Sequence, residues 1–238
     1  MEIVNNYHYE DFFNLFKPFV KEGDWCLDIG ANNGNSCAQI LKLIGNNGKL
    51  ICFEPIPEFV QILTNRFKDD QNIDIHKYAC DIEYAKKEFD YGIHNINGNG
   101  GLWNGYEHER GNRPPIHIEV ECVNTSDFLL KNYSLEDLKN NLKFIKIDCE
   151  GHDYAVIESL KPLIDIIKPI IFCEWWFFDS AIKLFNIAEE INYSTYRSDN
   201  PKILASKDHI GKELNVNILG TEAQYQQQSH DLILIPNL

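Results

Sequence analysis

Residues 25–40 read WCLDIGANNGNSCAQI, and this stretch decides the fold. An apolar, strand-like run leads into Asp28, a turn rich in glycine and asparagine follows, and a helical spacing of apolar residues resumes at about Ser36. This combination is typical either of a tight turn or of a ligand-binding loop between a buried strand and a helix. The stretch alone does not distinguish a tight turn from a ligand-binding loop, so the choice depends on the rest of the chain.

Short apolar runs alternate with helical patterns along most of the chain. The predicted strands are WCLDI, LICFE, IDIHKYA, LKFIKIDCEG and KPIIFCEWW, and the predicted helices are about 36–44, about 57–67, SLEDLKNN, YAVIESL and SAIKLFNIAEEI. This alternation predicts an α/β fold with a mostly parallel, doubly wound sheet and helices on both faces. The closing HDLILIP predicts a last strand, for which an antiparallel edge position is open. We predict one domain over residues 1–238, with a helical lead-in at 1–22.

Two segments with period-two alternation, KKEFDYGIH and IHIEVECV, interrupt this order and predict a β-hairpin insertion. The long loop between them, at 93–116, is rich in glycine and asparagine and carries Trp103, Tyr106 and His108. Loops of this length in a compact domain are often functional, so it is a candidate lid or acceptor-recognition element. An ordinary loop is the alternative.

The composition of the chain excludes some classes of binding partner and predicts a cellular compartment. The formal net charge is −14 and the basic residues are scattered, which argues against nucleic acid and anionic membranes as partners. We find no bilayer-spanning apolar run and no signal peptide, and therefore expect a cytoplasmic protein. Seven scattered cysteines without a C-x-x-C pair predict reduced, structural thiols and argue against a disulfide framework or a zinc site.

Carboxylates follow nearly every predicted strand: Asp28, Glu54, Asp81, Asp148, Glu150 and Glu174. Parallel strands end at the same edge of a sheet, where ligands of doubly wound folds bind, so these acids should meet there. Like charges side by side repel each other unless a ligand relieves the repulsion. The pattern therefore favours a site for a cationic or polyhydroxylated ligand.

Features of the first three strand ends indicate what such a ligand could be. The turn fits D-x-G-x-G-x-G, with Asn32 in place of the middle glycine, and asparagine tolerates left-handed backbone. Its N–H groups would suit the carboxylate of an amino acid or a phosphate. Glu54, held extended by Pro55, could accept hydrogen bonds from both hydroxyls of a ribose. Asp81 could meet an adenine edge or simply cap a helix.

Several segments together resemble the FkbM family of S-adenosylmethionine (SAM)-dependent methyltransferases: DIGANNGNS, FEPIPE, YACDIE, VNTSDFL, LKFIKIDCEGHDYAVIESL, IIFCEWW and DLILIP. The resemblance runs from about residue 24 to the C-terminus, and KIDCEGHDYAVIESL is its most specific part. It implies a Rossmann-like class I methyltransferase fold and methyl transfer to oxygen, often of a sugar or polyketide. The cofactor residues predicted in this way are Asp28, Gly30, Ala31, Asn32, Gly34, Ser36, Glu54, Pro55 and Asp81.

The chemistry of methyl transfer points to the turn after the fourth strand. An alcohol needs a base within hydrogen-bond reach. We predict the catalytic residues Asp148, Glu150 and His152, with Asp148 or His152 as the base. A helix-capping role for Glu150 is the alternative. We assign no metal, although hard oxygen ligands from Asp148, Glu150 and Glu174 could hold a divalent cation.

Acceptor recognition is predicted for Glu174, Trp175 and Trp103, since aromatic side chains can line the apolar face of a sugar. The expected acceptor is a small molecule or glycan. The identity of the acceptor, the choice between oxygen and nitrogen and the oligomeric state are not predicted. Two alternatives stay open: a nicotinamide-dependent oxidoreductase, which the missing G-x-G-x-x-G disfavours, and a non-catalytic SAM-binding module.

Overall fold

The computed structural model describes residues 10–91, 100–101, 117–174, 178–198 and 231–237. Its helices are α1 Glu10–Phe16, α2 Asn35–Ile44, α3 Pro57–Arg66, α4 Thr125–Asn132, α5 Leu135–Asn141, α6 Asp153–Ile167 and α7 Phe178–Glu190. Its strands are β1 Trp25–Ile29, β2 Lys49–Phe53, β3 Ile73–His76, β4 Ala79–Asp81, β5 Ala85–Tyr91, β6 Gly100–Gly101, β7 His117–Asn124, β8 Leu142–Ile147, β9 Ile170–Glu174, β10 Tyr193–Arg197 and β11 Asp231–Pro236. Trp103 and Trp175 lie outside the described residues, as does most of the predicted loop at 93–116.

Seven strands form the large sheet, in the order β10-β11-β9-β8-β1-β2-β3. The five strands from β9 to β3 are parallel, whereas β11 is antiparallel to both of its neighbours. This arrangement confirms the predicted mostly parallel sheet. The closing segment is antiparallel, as expected, but it does not lie at the edge, because β10 pairs with its outer side. Between β1 and β8 the strand order reverses, and ligands of such folds bind above this switch point, at the carboxyl ends of the strands.

Helices cover both faces of this sheet. Along β1, Cys26 packs with residues of α1 and α2, whereas Leu27 packs with residues of α4 to α7. Burial on both faces explains why the central strand reads as a nearly continuous apolar run. All seven cysteines are free thiols, as predicted, and only Cys149 is not fully buried. No helix within the described part of the chain is both long and apolar enough to cross a bilayer.

The smaller sheet has the order β4-β7-β5-β6 and corrects one prediction. IDIHKYA is not one strand, because β3 pairs with β2 in the large sheet and β4 pairs with β7 in the smaller one. Asp81 therefore ends a strand of the smaller sheet instead of the third strand of the large one. The antiparallel pairing of β5 with β7 confirms the predicted hairpin strands.

Helix boundaries follow local capping. The Ser134 hydroxyl accepts the Asp137 N–H at 3.0 Å at the start of α5, as serine commonly does at a helix N-cap. Helix α6 is longer than the predicted YAVIESL, because it continues through Pro162 to Ile167. Its long buried face against α4 and α7 outweighs the helix-breaking tendency of the proline.

Candidate functional site

The turn after β1 depends on three residues with left-handed backbone. Asn32 has φ 51°, which confirms that asparagine adopts the left-handed conformation expected of it. Gly30 has φ 80°, and a Cβ atom there would lie 2.0 Å from the carbonyl oxygen of Asp148. Gly34 has φ 84°, and a Cβ atom there would lie 2.6 Å from the ring of Phe67. The glycines therefore let the turn pack tightly against β8 on one side and α3 on the other.

The backbone N–H groups of this turn all have acceptors within the protein. Gly30 and Ala31 donate to Phe53 O, Asn32 to Glu54, Asn33 to Asn32 Oδ1, Gly34 to Ala31 O, and Asn35 to Asn33 Oδ1. The sequence interpretation offered these N–H groups to a ligand carboxylate. Two of these acceptors are asparagine side chains, which commonly accept hydrogen bonds from nearby backbone amides. In the structure, a ligand carboxylate would first have to displace one of the acceptors.

Asp28 supports the turn from beneath. Its side chain is fully buried, and its Oδ2 accepts hydrogen bonds from Ser36 Oγ at 2.5 Å and Cys37 Sγ at 3.2 Å. Its Oδ1 lies 3.2 Å from Lys146 Nζ. These contacts tie β1 to the first turn of α2 and to β8, so Asp28 and Ser36 act on the shape of the turn. Their direct contact with a cofactor stays a prediction.

Lys146 is a site residue that sequence reasoning missed. It is 2 % exposed, yet its Nζ meets Gly30 O at 3.1 Å, Asp28 Oδ1 at 3.2 Å and Asp148 Oδ2 at 3.2 Å. Burial lowers the pKa of this ammonium, but the nearby charges of Asp148 and Asp28 outweigh burial and raise its pKa above the usual value. The signal was a lysine flanked by Ile145 and Ile147 at the start of KIDCEG, in a strand whose other lysine is Lys143.

Glu54 follows β2 directly, next to Pro55, and is 4 % exposed. Its Oε2 accepts the Asn32 N–H at 2.8 Å and its Oε1 accepts the Ile56 N–H at 2.9 Å. Burial raises the pKa of Glu54 to about 7, although the two backbone bonds oppose the shift. Each carboxylate oxygen has room for a second donor, so the pair still suits the two hydroxyls of a ribose. That role stays a prediction.

Asp81 and His152 meet across 71 positions of sequence. Asp81 Oδ1 lies 3.1 Å from His152 Nε2, and its Oδ2 lies 2.6 Å from Lys87 Nζ. Burial raises the pKa of Asp81, but the hydrogen bonds from His152, Lys87 and the Ile82 N–H outweigh burial and lower its pKa. An ionised Asp81 can only accept, so His152 Nε2 carries the proton and the lone pair of a neutral ring is on Nδ1. The predicted contact of Asp81 with adenine would compete with these bonds.

The turn after β8 and the end of β9 bring three carboxylates together. Oxygen atoms of Asp148, Glu150 and Glu174 all lie within 4.8 Å of one another. Burial and the neighbouring charges of Asp148 and Glu150 raise the pKa of Glu174 well above its usual value. The three acids meet as the divalent-cation alternative requires, since Mg²⁺ and Ca²⁺ prefer oxygen ligands. Lys146, however, already supplies a positive charge beside Asp148.

Asp153, at the start of α6, hydrogen-bonds to the backbone on both sides of this acidic cluster. It is buried, its Oδ2 accepts the Cys149 N–H at 3.1 Å, and its Oδ1 accepts the Glu174 N–H at 2.9 Å. Burial, followed by the charge of Asp148, raises the pKa of Asp153 to about 7. Asp153 therefore links the β8 turn to the end of β9, a role that no local pattern in the sequence reveals.

Several solved structures share the fold of this chain. A methyltransferase FkbM from Methylobacillus flagellatus aligns with a TM-score of 0.51 and 14 % identity, over 77 % of this chain but only 46 % of that one. A SAM-dependent O-methyltransferase from Thermotoga maritima aligns with a TM-score of 0.51 and 11 % identity, over 100 % of this chain and 68 % of that one. A Streptococcus mutans protein in complex with S-adenosylhomocysteine (SAH) aligns with a TM-score of 0.51 and 6 % identity, over 95 % of this chain and 96 % of that one. At these identities the likeness shows the fold alone.

The sequence itself identifies the family. No curated protein matches the chain. The Methyltransferase FkbM domain matches residues 28–209, which is most of the chain and includes both the β1 turn and the β8 turn. The chain therefore belongs to the FkbM methyltransferase family.

Proposed function

We propose that this protein transfers a methyl group from SAM to a hydroxyl oxygen of a sugar, a glycan or another small molecule. The observation that carries the proposal is the set of carboxylates at the switch point, where Glu54 follows β2, Asp148 follows β8 and Glu174 ends β9. The bound cofactor supplies an electrophilic methyl group on a sulfonium. An acidic edge favours that cation, and a paired-oxygen acceptor such as Glu54 favours a ribose.

The residues divide into two groups by position. The turn at 30–34, Asp28, Ser36 and Glu54 shape the cofactor half, and Asp148, Glu150 and His152 lie on the turn where the acceptor would meet the methyl group. His152 is the base that we favour, because Asp81 orients its ring and leaves Nδ1 as the proton acceptor. Asp148 is the alternative base, although its Oδ2 pairs with Lys146.

The proposal also covers the residues that recognise the acceptor, the type of acceptor and the cellular compartment. Trp103, Trp175 and Glu174 are the proposed acceptor-recognition residues. A net charge of −14 supports a neutral acceptor over nucleic acid or an anionic membrane, and the proposed compartment is the cytoplasm.

Calorimetric titration with SAH and transfer of labelled methyl from SAM to a panel of sugars and glycans test the proposal. Glu54→Gln should weaken SAH binding by more than tenfold, while Glu58→Gln, an exposed glutamate in α3, should not. Binding of NAD with no binding of SAH would instead establish the oxidoreductase alternative. SAH binding without transfer to any acceptor would support the non-catalytic module.

A further inference from the structure

Lys146 contacts both the turn after β1, which is assigned to the cofactor, and the turn after β8, which is assigned to catalysis. Asp28 on β1 and Lys146 on β8 are register partners in adjacent parallel strands, so their side chains leave the sheet on the same face. From there the ammonium reaches two further groups, the Gly30 carbonyl and the Asp148 carboxylate. Its Nζ donates a hydrogen bond to the Gly30 carbonyl at 3.1 Å and forms ion pairs at 3.2 Å with Asp28 Oδ1 and Asp148 Oδ2.

The proposed reaction requires a fixed position for each of the three groups that Lys146 contacts. The Gly30 carbonyl belongs to the left-handed turn that shapes the cofactor site. Asp148 has a side chain that is 36 % exposed, so its carboxylate is paired with Lys146 through Oδ2 while it stays partly accessible to solvent. Asp28 is fully buried, and a buried carboxylate without a counter-charge is strongly unfavourable. A neutral side chain at 146 would remove the positive charge that lies beside both carboxylates.

We propose that Lys146 is a positioning residue that couples the two turns: its single ammonium holds the Gly30 carbonyl and the Asp148 carboxylate at a set separation. The inference rests on the proposed function, because the two turns are those assigned to the cofactor and to catalysis. Lys146 itself does not take part in the transfer. Displacement of either turn by about 1 Å is enough to cost on the order of 100-fold in rate.

The test is a double-mutant cycle of Lys146→Met and Asp148→Asn, read by the SAH Kd and by kcat. Lys146→Met should weaken SAH binding roughly tenfold and lower kcat by on the order of 100-fold. Asp148→Asn should lower kcat with little change in the SAH Kd. The double variant should have the kcat of the worse single variant, because both changes remove the same contact. Lys143→Met, an exposed lysine on the same strand, is the matched control.

Two further variants keep the inference falsifiable. Lys146→Arg keeps the charge and should recover part of both the SAH affinity and kcat. If Lys146→Met does not fold, the cycle is run in an Asp28→Asn background, which removes the buried carboxylate together with its counter-ion. The inference is overturned if Lys146→Met matches Lys143→Met, if the single effects multiply in the double variant, or if Lys146→Arg is no better than Lys146→Met. Failure of the wild type to bind SAH would overturn the proposed function instead.

Discussion

Gly30→Ala tests whether the close approach of the β1 turn to β8 is what holds the switch point together. The new Cβ would lie 2.0 Å from Asp148 O, a backbone atom that cannot rotate away. The left-handed backbone costs an alanine about 1–2 kcal/mol, and overpacking adds about 1–3 kcal/mol. We therefore expect a loss of about 2–5 kcal/mol in the free energy of unfolding, together with loss of SAH binding as the two turns separate.

Gly23→Ala is the matched control for this prediction. Gly23 has φ 88°, close to that of Gly30, but nothing lies within 4 Å of a Cβ atom there. It should lose only the backbone cost of about 1–2 kcal/mol and should bind SAH normally. Urea unfolding measures both variants, provided that the m-value is unchanged. Equal losses in the two variants would refute the argument that contact with β8 is what matters.

Three other predictions follow from the charges and caps. The free energy of unfolding should fall as the pH rises from about 5 to 8, because Glu54 and Asp153, with pKa values raised to about 7, hold protons in the folded state that the unfolded chain has already released. Urea titrations in a pH series should show a flatter dependence in Asp153→Asn, and an unchanged slope would contradict this assignment. A chelator should leave methyl transfer unaffected, since Lys146 already balances Asp148; loss of activity that Mg²⁺ restores would instead establish the divalent-cation alternative. Ser134→Ala should destabilise the protein by about 0.5–2 kcal/mol through loss of the α5 cap, measured by thermal unfolding against Lys139→Ala, a control at an exposed position of the same helix.

Local patterns in the sequence determined the architecture and the place of the site. Apolar runs alternating with helical spacing predicted the parallel sheet, because burial on both faces makes each strand a short, nearly continuous apolar run that a few neighbouring residues reveal. Parallel strands end at one edge, so the sequence alone places the acids after them close together. The left-handed backbone of Asn32 was likewise a local property of one residue in one turn.

Only the tertiary structure decided which side chains pair. Asp28 pairs with Lys146, and Asp81 bonds to His152. Both contacts depend on strand order and register, which local periodicity does not encode. The break of IDIHKYA into two sheets arose because β7, far along the chain, supplies a partner for β4 that β2 does not. The stretch at 25–40 therefore determined by itself that a strand, a turn and a helix form there. The buried charges beneath that turn come from elsewhere in the chain, because low-dielectric burial selects a counter-ion by proximity in space and not in sequence.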